Sequence, residues 1–199
     1  MDDQAKDSES THALFSEDQP EFFDTKGWTD HVRDGLGLWV SVDEQKVRAI
    51  RDGAVVWEAP CSTSSRGTGQ RINSNKTPLG WHTVTRKVGA DAPWGQVFRA
   101  QRPTAEIWQP GTHLEEDLVL TRILLLSGDE PGFNQGGEVD SAARCIYVHG
   151  TNEEERIGVP ASHGCIRLRN DDVIALFELI PEGTPLLITE RGGPDRPRP

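Results

Sequence analysis

The chain has 199 residues and a formal net charge of −11, a length suited to one compact domain with polar ends. No basic stripe offsets this acidity, so we expect neither nucleic acid nor an anionic membrane as a partner. Residues 1–34 hold ten acidic and three basic residues, a net charge of −7. We therefore expect a largely disordered extension there, although Phe22, Phe23 and Trp28 could instead dock onto the domain.

Residues 35–190 have the pattern of a single, mainly β domain, followed by a disordered tail over 191–199. Apolar residues alternate with others from Leu38 to Val42, which predicts a first strand, and Asp52-Gly53 is typical of a hairpin turn. The stretch 62–75 is rich in Ser, Gly, Thr and Asn, which indicates a loop. Further strands are predicted over 81–88, 97–107, 121–126, 145–149 and 184–189.

One helix is predicted near the C-terminal end of the domain. Asn170 is a suitable N-cap, and two acidic residues follow it in the first turn. Apolar residues then recur at helical spacing at Val173, Leu176, Phe177 and Ile180. Pro181 ends the pattern.

The cysteines and the N-terminus bear on the compartment. Three thiols cannot all pair, and we expect Cys61 and Cys145 to be small buried hydrophobes on strands. The first residues are acidic, and no apolar run suited to an export signal precedes Leu36. These features lead us to expect a cytoplasmic protein, or one of the cell envelope if a leader has been removed.

The densest chemical information lies in two short motifs, His149-Gly150-Thr151 and Ser162-His163-Gly164-Cys165-Ile166-Arg167. A cysteine acyl-transfer enzyme needs a thiol close to an imidazole, and these motifs provide Cys165 as nucleophile and His149 as general base. We expect an exposed Cys165 with a lowered pKa. The N–H groups of Gly164 and Cys165 are candidates for an oxyanion hole, and His163 is assigned a supporting catalytic role.

The two motifs together resemble the signature of the L,D-transpeptidase catalytic domain (YkuD) family. Thr77-Pro78-Leu79-Gly80 resembles the Thr-Pro-x-Gly turn of that family, and the likeness covers roughly residues 36–190. The resemblance implies a β-sandwich, with one short helix after the cysteine loop, and gives the catalytic imidazole to His149. It also implies a substrate, the tetrapeptide stem of bacterial peptidoglycan or a muropeptide, cut between diaminopimelate and the terminal D-Ala through a Cys165 thioester.

Three other residues are candidates for substrate binding. Arg167 follows Cys165 by two positions and carries a group suited to a carboxylate, of the substrate or of a neighbouring acid. Ser162 is expected to orient the loop by hydrogen bonding. His82 either borders the cleft or is an ordinary strand histidine.

Hydrolysis of the thioester would make the protein an L,D-carboxypeptidase of peptidoglycan recycling, which a cytoplasmic location favours. Attack by an amine would instead give 3–3 crosslinks or protein–peptidoglycan links. Two other classes are open: an inert peptidoglycan-binding module, and a metal site formed by His149, His163 and Cys165. Cys61 and Cys145 offer no second closely spaced ligand pair, so we expect neither a metal nor a cofactor. The sequence leaves the oligomeric state open.

Overall fold

A computed structural model describes residues 25–112 and 116–190 of the chain. The predicted mainly β fold is confirmed, with one continuous hydrogen-bonded sheet in the described residues. Its strands are β1 (Leu36–Ser41), β2 (Lys46–Arg51), β3 (Ala54–Pro60), β4 (Gly80–Val88), β5 (Gln96–Arg99), β6 (Arg102–Ile107), β7 (Val119–Gly128), β8 (Tyr147–Gly150), β9 (Ile166–Leu168) and β10 (Pro185–Thr189). The helices are α1 (Thr25–His31) and α2 (Asn170–Leu179), and two short 3-10 turns cover Gly137–Val139 and Glu154–Arg156. Within the described ranges, neither helix has the length and apolarity that a membrane crossing requires.

The strand order places β7 at the junction of the sheet. The order runs β3-β2-β1-β10-β4-β7-β5-β6, and β8 pairs with both β7 and β9. Residues 123–128 of β7 pair with β4, residues 119–120 with β5, and residues 120–125 with β8. The pairs β1–β10 and β8–β9 are parallel, and the other pairs are antiparallel. The two strands that contain parts of the sequence motifs, β8 and β9, therefore lie side by side.

Residues with positive φ form the turns of the β2–β3 and β5–β6 hairpins. Asp52 and Gly53 have φ values of 51° and 81°, which is the backbone of a type I′ turn and confirms the predicted hairpin. The segment predicted as one strand over 97–107 is instead the hairpin of β5 and β6, turning at Ala100 and Gln101 with φ values of 47° and 64°. Because that turn contains no glycine or asparagine, the sequence pattern predicted a single strand across it.

The main core lies between the sheet and α2, whose predicted apolar residues are all buried in it. The predicted N-cap is wrong, because Arg169 occupies that position without a side-chain cap. Asn170 is instead fully buried, and its Nδ2 donates to Thr151 O and Glu154 Oε1 at 2.9 and 2.7 Å. The helix start is therefore tied to the segment that leaves β8.

The extension predicted over residues 1–34 is partly folded, because α1 packs on the domain. Trp28 is buried, and its ring centroid lies 5.6 Å from that of Trp81. A Cβ atom on Gly37 would meet Trp28 and Val32 at 2.9 and 2.7 Å, so the absence of a side chain there makes room for the helix. The prediction of a solvated tail is wrong for this segment, whereas Phe22, Phe23 and the predicted tail over 191–199 lie outside the described residues.

Candidate active site

Strands β8 and β9 bring the two sequence motifs together. In their parallel register Val148 pairs with Ile166 and His149 with Arg167. Val148 and Ile166 are fully buried in the main core, so the alternate residues on both strands, including His149 and Cys165, share the opposite face. His149 pairs with Arg167, and Cys165 precedes Arg167 by two residues, which corresponds to about 6.6 Å along a strand. The imidazole side chain can span part of that distance towards the sulfur.

The environment of Cys165 favours the neutral thiol. The side chain is half-buried, its sulfur accepts the Tyr147 N–H at 3.4 Å, and its S–H points to Cys145 O at 3.4 Å. Burial raises the pKa of Cys165 to about 12, and the Asp117 carboxylate adds to this, outweighing the Tyr147 N–H and the Arg167 cation. The structure thus differs from the predicted lowered pKa, because burial disfavours a thiolate more than the nearby donors stabilise it.

His149 is held in one tautomer. It is 2% exposed, and its Nδ1 lies 2.8 Å from Gly150 O. A carbonyl oxygen can only accept, so Nδ1 carries the proton and Nε2 presents a lone pair. Burial lowers the pKa of His149, with the nearby Arg167 cation acting in the same direction and the Gly150 carbonyl and Asp117 opposing it. Both pKa shifts favour the neutral forms, an imidazole and a thiol, and the two side chains are not hydrogen-bonded to each other.

Ser162 and Gly164 shape the loop that carries the sulfur. Ser162 is fully buried, its hydroxyl donates to Cys165 O at 2.6 Å, and it accepts the Gly164 N–H at 3.2 Å. Ser162 therefore orients the loop and has no face for substrate. Because the Gly164 N–H is already engaged, it is not free to bind an oxyanion in this conformation, contrary to the prediction. Gly164 has a φ of 129°, and a Cβ there would meet Ile146 and Lys76 O at 3.3 Å.

The Thr77-Pro78-Leu79-Gly80 turn contacts the loop that carries Cys165 and helps to hold it in place. The Thr77 hydroxyl donates to Gly164 O at 3.0 Å and accepts the Ser64 N–H at 3.0 Å. Residue 62 forms a further antiparallel bridge to Arg167 on the outer edge of β9. Segments from the predicted loop over 62–75 are thus part of the frame of the site.

Arg167 lies inside this frame and has no side-chain surface available to substrate. Its side chain is fully buried, and its Nη1 donates to Asp117 Oδ1 at 2.9 Å and to Glu153 Oε2 at 2.5 Å. Its Nη2 donates to Ser62 Oγ at 3.3 Å. The prediction that Arg167 binds the substrate therefore fails on geometry, and the alternative of a neighbouring acid as its partner fits.

The two remaining predicted histidines lie in different surroundings. His163 is exposed at 68% of its side chain, and its Nδ1 is 3.3 Å from Asp117 Oδ2, so it remains next to the site. His82 is fully buried, with Nδ1 3.0 Å from Gly80 O and Nε2 3.0 Å from Ser141 Oγ. Burial lowers the pKa of His82 to about 4. A buried, neutral and fully bonded imidazole cannot contact substrate, so the assignment of His82 to the cleft is wrong.

Sequence reasoning missed several residues around the sulfur. Asp117 contacts both Arg167 and His163, but lies about fifty residues before them in a loop without a motif. Tyr147 precedes His149 by two on the same strand face, a signal that alternation offered. Cys145 was predicted to be buried on a strand; it is exposed, has a φ of 56° and lies in the turn before β8. Cys61 is buried as predicted, although it follows β3 rather than lying on it.

The three proposed metal ligands do not form a cluster. In the described part of the chain, no three His, Cys, Asp or Glu side chains come close enough together to hold a metal ion. Of the two ring nitrogens of His149, Nδ1 is engaged with the backbone at Gly150 O. The chemistry that these residues support directly is nucleophilic attack by sulfur with an imidazole as base.

The chain is similar to one protein family and to several known proteins. The family model described as "L,D-transpeptidase catalytic domain" (YkuD) matches residues 37–188. "Probable L,D-transpeptidase YbiS" of Escherichia coli is 33% identical over 54% of this chain and 31% of its own length. "Probable L,D-transpeptidase ErfK/SrfK" of Salmonella typhimurium is 31% identical over 63% of this chain and 36% of its own length. An L,D-transpeptidase structure from Mycobacterium smegmatis aligns with 17% identity and a TM-score of 0.49, covering 78% of this chain and 58% of that one. The chain thus spans about a third of the length of the two curated relatives.

Proposed function

Because the chain belongs to the L,D-transpeptidase catalytic domain (YkuD) family, we propose that it cleaves peptidoglycan tetrapeptide stems between diaminopimelate and the terminal D-Ala. The observation that supports this most directly is that His149 on β8 and Cys165, the residue before β9, lie on the same face of this pair of adjacent strands. The hydrogen bond from His149 Nδ1 to Gly150 O adds to it, because it leaves Nε2 as the proton acceptor. The covalent intermediate is a thioester on Cys165.

The neutral resting pair sets the order of events. The proton of Cys165 passes to His149 Nε2 while the sulfur attacks the carbonyl of the L-centre of diaminopimelate, so no free thiolate accumulates. The Gly150 carbonyl accepts the hydrogen bond from Nδ1–H throughout and stabilises the imidazolium that forms. The imidazolium then protonates the nitrogen of D-Ala, the C–N bond breaks, and the thioester remains. The Cys165 N–H is the backbone donor for the oxyanion. The Gly164 N–H donates to Ser162 Oγ and would have to leave that bond to act as a second donor.

We further propose hydrolysis as the fate of the thioester, with a water deprotonated by His149 as the acceptor. Tripeptide and D-Ala are the products, which makes the protein an L,D-carboxypeptidase of peptidoglycan recycling in the cytoplasm. One feature of the structure favours a reducing compartment: Cys145 carries an exposed free thiol next to the nucleophile. The alternative is transfer to an amine of another stem, which gives 3–3 crosslinks, or links protein to peptidoglycan, in the cell envelope.

The direct experiment is incubation of the purified protein with a disaccharide tetrapeptide, with and without an acceptor stem, followed by chromatography and mass spectrometry. Tripeptide and D-Ala as sole products in both reactions support hydrolysis, whereas crosslinked dimers support transpeptidation. Cys165→Ala should be inactive. Cys145→Ala is the matched control. It removes an exposed thiol but keeps the backbone carbonyl that contacts Cys165, and it should retain activity. Release of no product by the unmodified protein would contradict the proposed cleavage.

A further inference from the structure

Arg144 is a cation that the proposed mechanism does not use, and it lies in the turn before β8. Its Nη1 donates to Gly69 O and Gln70 O at 3.2 and 2.7 Å, and its Nη2 donates to Lys76 O at 2.5 Å. These three carbonyls belong to the loop that precedes the Thr77-Pro78 turn. The guanidinium is thus held in one place by backbone rather than by other side chains.

The place where it is held borders the nucleophile. Lys76 O, which accepts a hydrogen bond from Arg144, lies 3.3 Å from the Cβ position of Gly164, the residue before Cys165. Cys145, the residue after Arg144, presents its carbonyl to the Cys165 sulfur at 3.4 Å. Burial lowers the pKa of Arg144, and the Cys165 thiolate, when it forms, raises it. Arg144 therefore lies between the 69–76 loop and the loop that carries Cys165.

The charge of Arg144 has no counterion in the described residues, where only neutral carbonyls contact it. Those contacts use three of its five N–H donors. The Nε atoms of Arg122 and Arg167 are buried and have no hydrogen-bond partner, and the Nε of Arg144 is not in that situation. Arg167 differs, because it forms ion pairs with two carboxylates, those of Asp117 and Glu153. Of the two arginines, Arg144 is the one whose charge remains available to an anion.

We propose that Arg144 binds the terminal carboxylate of the leaving D-amino acid and so selects substrates that end one residue beyond the scissile bond. This inference rests on the proposed function and specifies its recognition. In an extended peptide the carboxylate of the leaving residue lies about 3.5 Å beyond the scissile carbonyl. The Arg144 guanidinium is bonded to Lys76 O, which borders the residue before the attacking cysteine, and a planar N–H pair is suited to a carboxylate.

The test compares two substrates that differ only at this group, a tetrapeptide stem ending in D-Ala and the same stem ending in D-alaninamide. For the unmodified protein, kcat/KM should be about 10- to 100-fold higher on the acid, as expected for a charge-assisted hydrogen bond. Arg144→Gln should lose most of that preference, mainly through a higher KM on the acid, and Arg144→Lys should keep part of it. Because the acid-to-amide ratio is measured within each variant, a partly unfolded sample does not alter it.

Arg71→Gln is the matched control, since Arg71 is an exposed arginine of the same loop, paired with Glu138. It should keep the ratio of the unmodified protein. Equal losses on both substrates in Arg144→Gln would show a purely structural role and overturn the inference. Equal activity of the unmodified protein on acid and amide would also overturn it and would leave the cleavage intact. Inactivity of the unmodified protein on both stems would overturn the proposed function itself, and the inference with it.

Discussion

Replacement of Arg167 by methionine would remove the cation that Asp117 and Glu153 share in the interior. Leaving buried charges without their partner costs about 3–5 kcal/mol of unfolding free energy. The two carboxylate side chains are 19% and 24% exposed, so water recovers part of this cost. The Nε of Arg167 is also buried without a partner, which reduces what the native residue contributes. We therefore expect a loss near the lower limit, about 3 kcal/mol.

The assay is equilibrium unfolding in urea, together with thermal unfolding. For a domain of this size the expected loss lowers the melting temperature by about 6–12 °C. Arg71→Met is the control, because its ion pair with Glu138 is exposed on both sides and should contribute less than about 1 kcal/mol. Combining Arg167→Met with Glu153→Gln should restore part of the stability, since one uncompensated carboxylate is removed.

The reasoning would be refuted by a specific pair of results. If Arg167→Met unfolded within about 1 kcal/mol of the unmodified protein, the buried network would not stabilise the fold. If the same variant also raised KM for the tetrapeptide acid but not for the amide, Arg167 would be the substrate ligand that the sequence first indicated.

Three further predictions follow from buried groups. With a Cys165 pKa of about 12, the rate of alkylation by iodoacetamide in a Cys145→Ala background should rise about tenfold per unit between pH 7 and 10; a plateau in that range would indicate a thiolate at rest. His82 has a folded pKa of about 4, below its ordinary value of 6.5, so the unfolded chain takes up that proton first and stability falls as pH drops from 6.5 towards 4. His82→Gln should remove about 3 kcal/mol of that pH dependence in urea titrations, and an unchanged slope would count against a buried neutral imidazole. Trp28→Ala should cost about 3 kcal/mol and Trp28→Phe much less; equal stability of the two variants would mean that α1 does not pack as described.

The parts of the site that could be predicted are local in sequence. Alternation in β8 predicts that His149 faces away from Val148, and the spacing of two residues predicts that Cys165 and Arg167 share a side, whereas the pairing of β8 with β9 that joins these residues is seen only in the structure. The register of these strands places Arg167 opposite His149. Alternation could not predict that Ser62 and Asp117, which are distant in sequence, cover that face. Their contacts bury Arg167 in an ion pair, so it is not available as a substrate ligand.

The remaining errors have similar physical causes. The pKa of Cys165 depends on how much surrounding structure removes water, which no motif encodes. The acidic composition of residues 1–34 suggested a solvated tail, but Trp28 finds a surface where Gly37 leaves room for it. Arg144 has no neighbouring motif at all, because its partners are backbone carbonyls of a loop about seventy residues earlier.

The most direct test of covalent catalysis by Cys165 and His149 is intact-protein mass spectrometry after exposure to a carbapenem, a β-lactam that acylates an activated thiol. The unmodified protein and Cys145→Ala should each gain the mass of one drug molecule, and Cys165→Ala should gain none. His149→Asn should acylate at least about 100-fold more slowly, because the base that accepts the thiol proton is missing. An adduct on Cys165→Ala, or an undiminished rate in His149→Asn, would contradict the assignment of nucleophile and base.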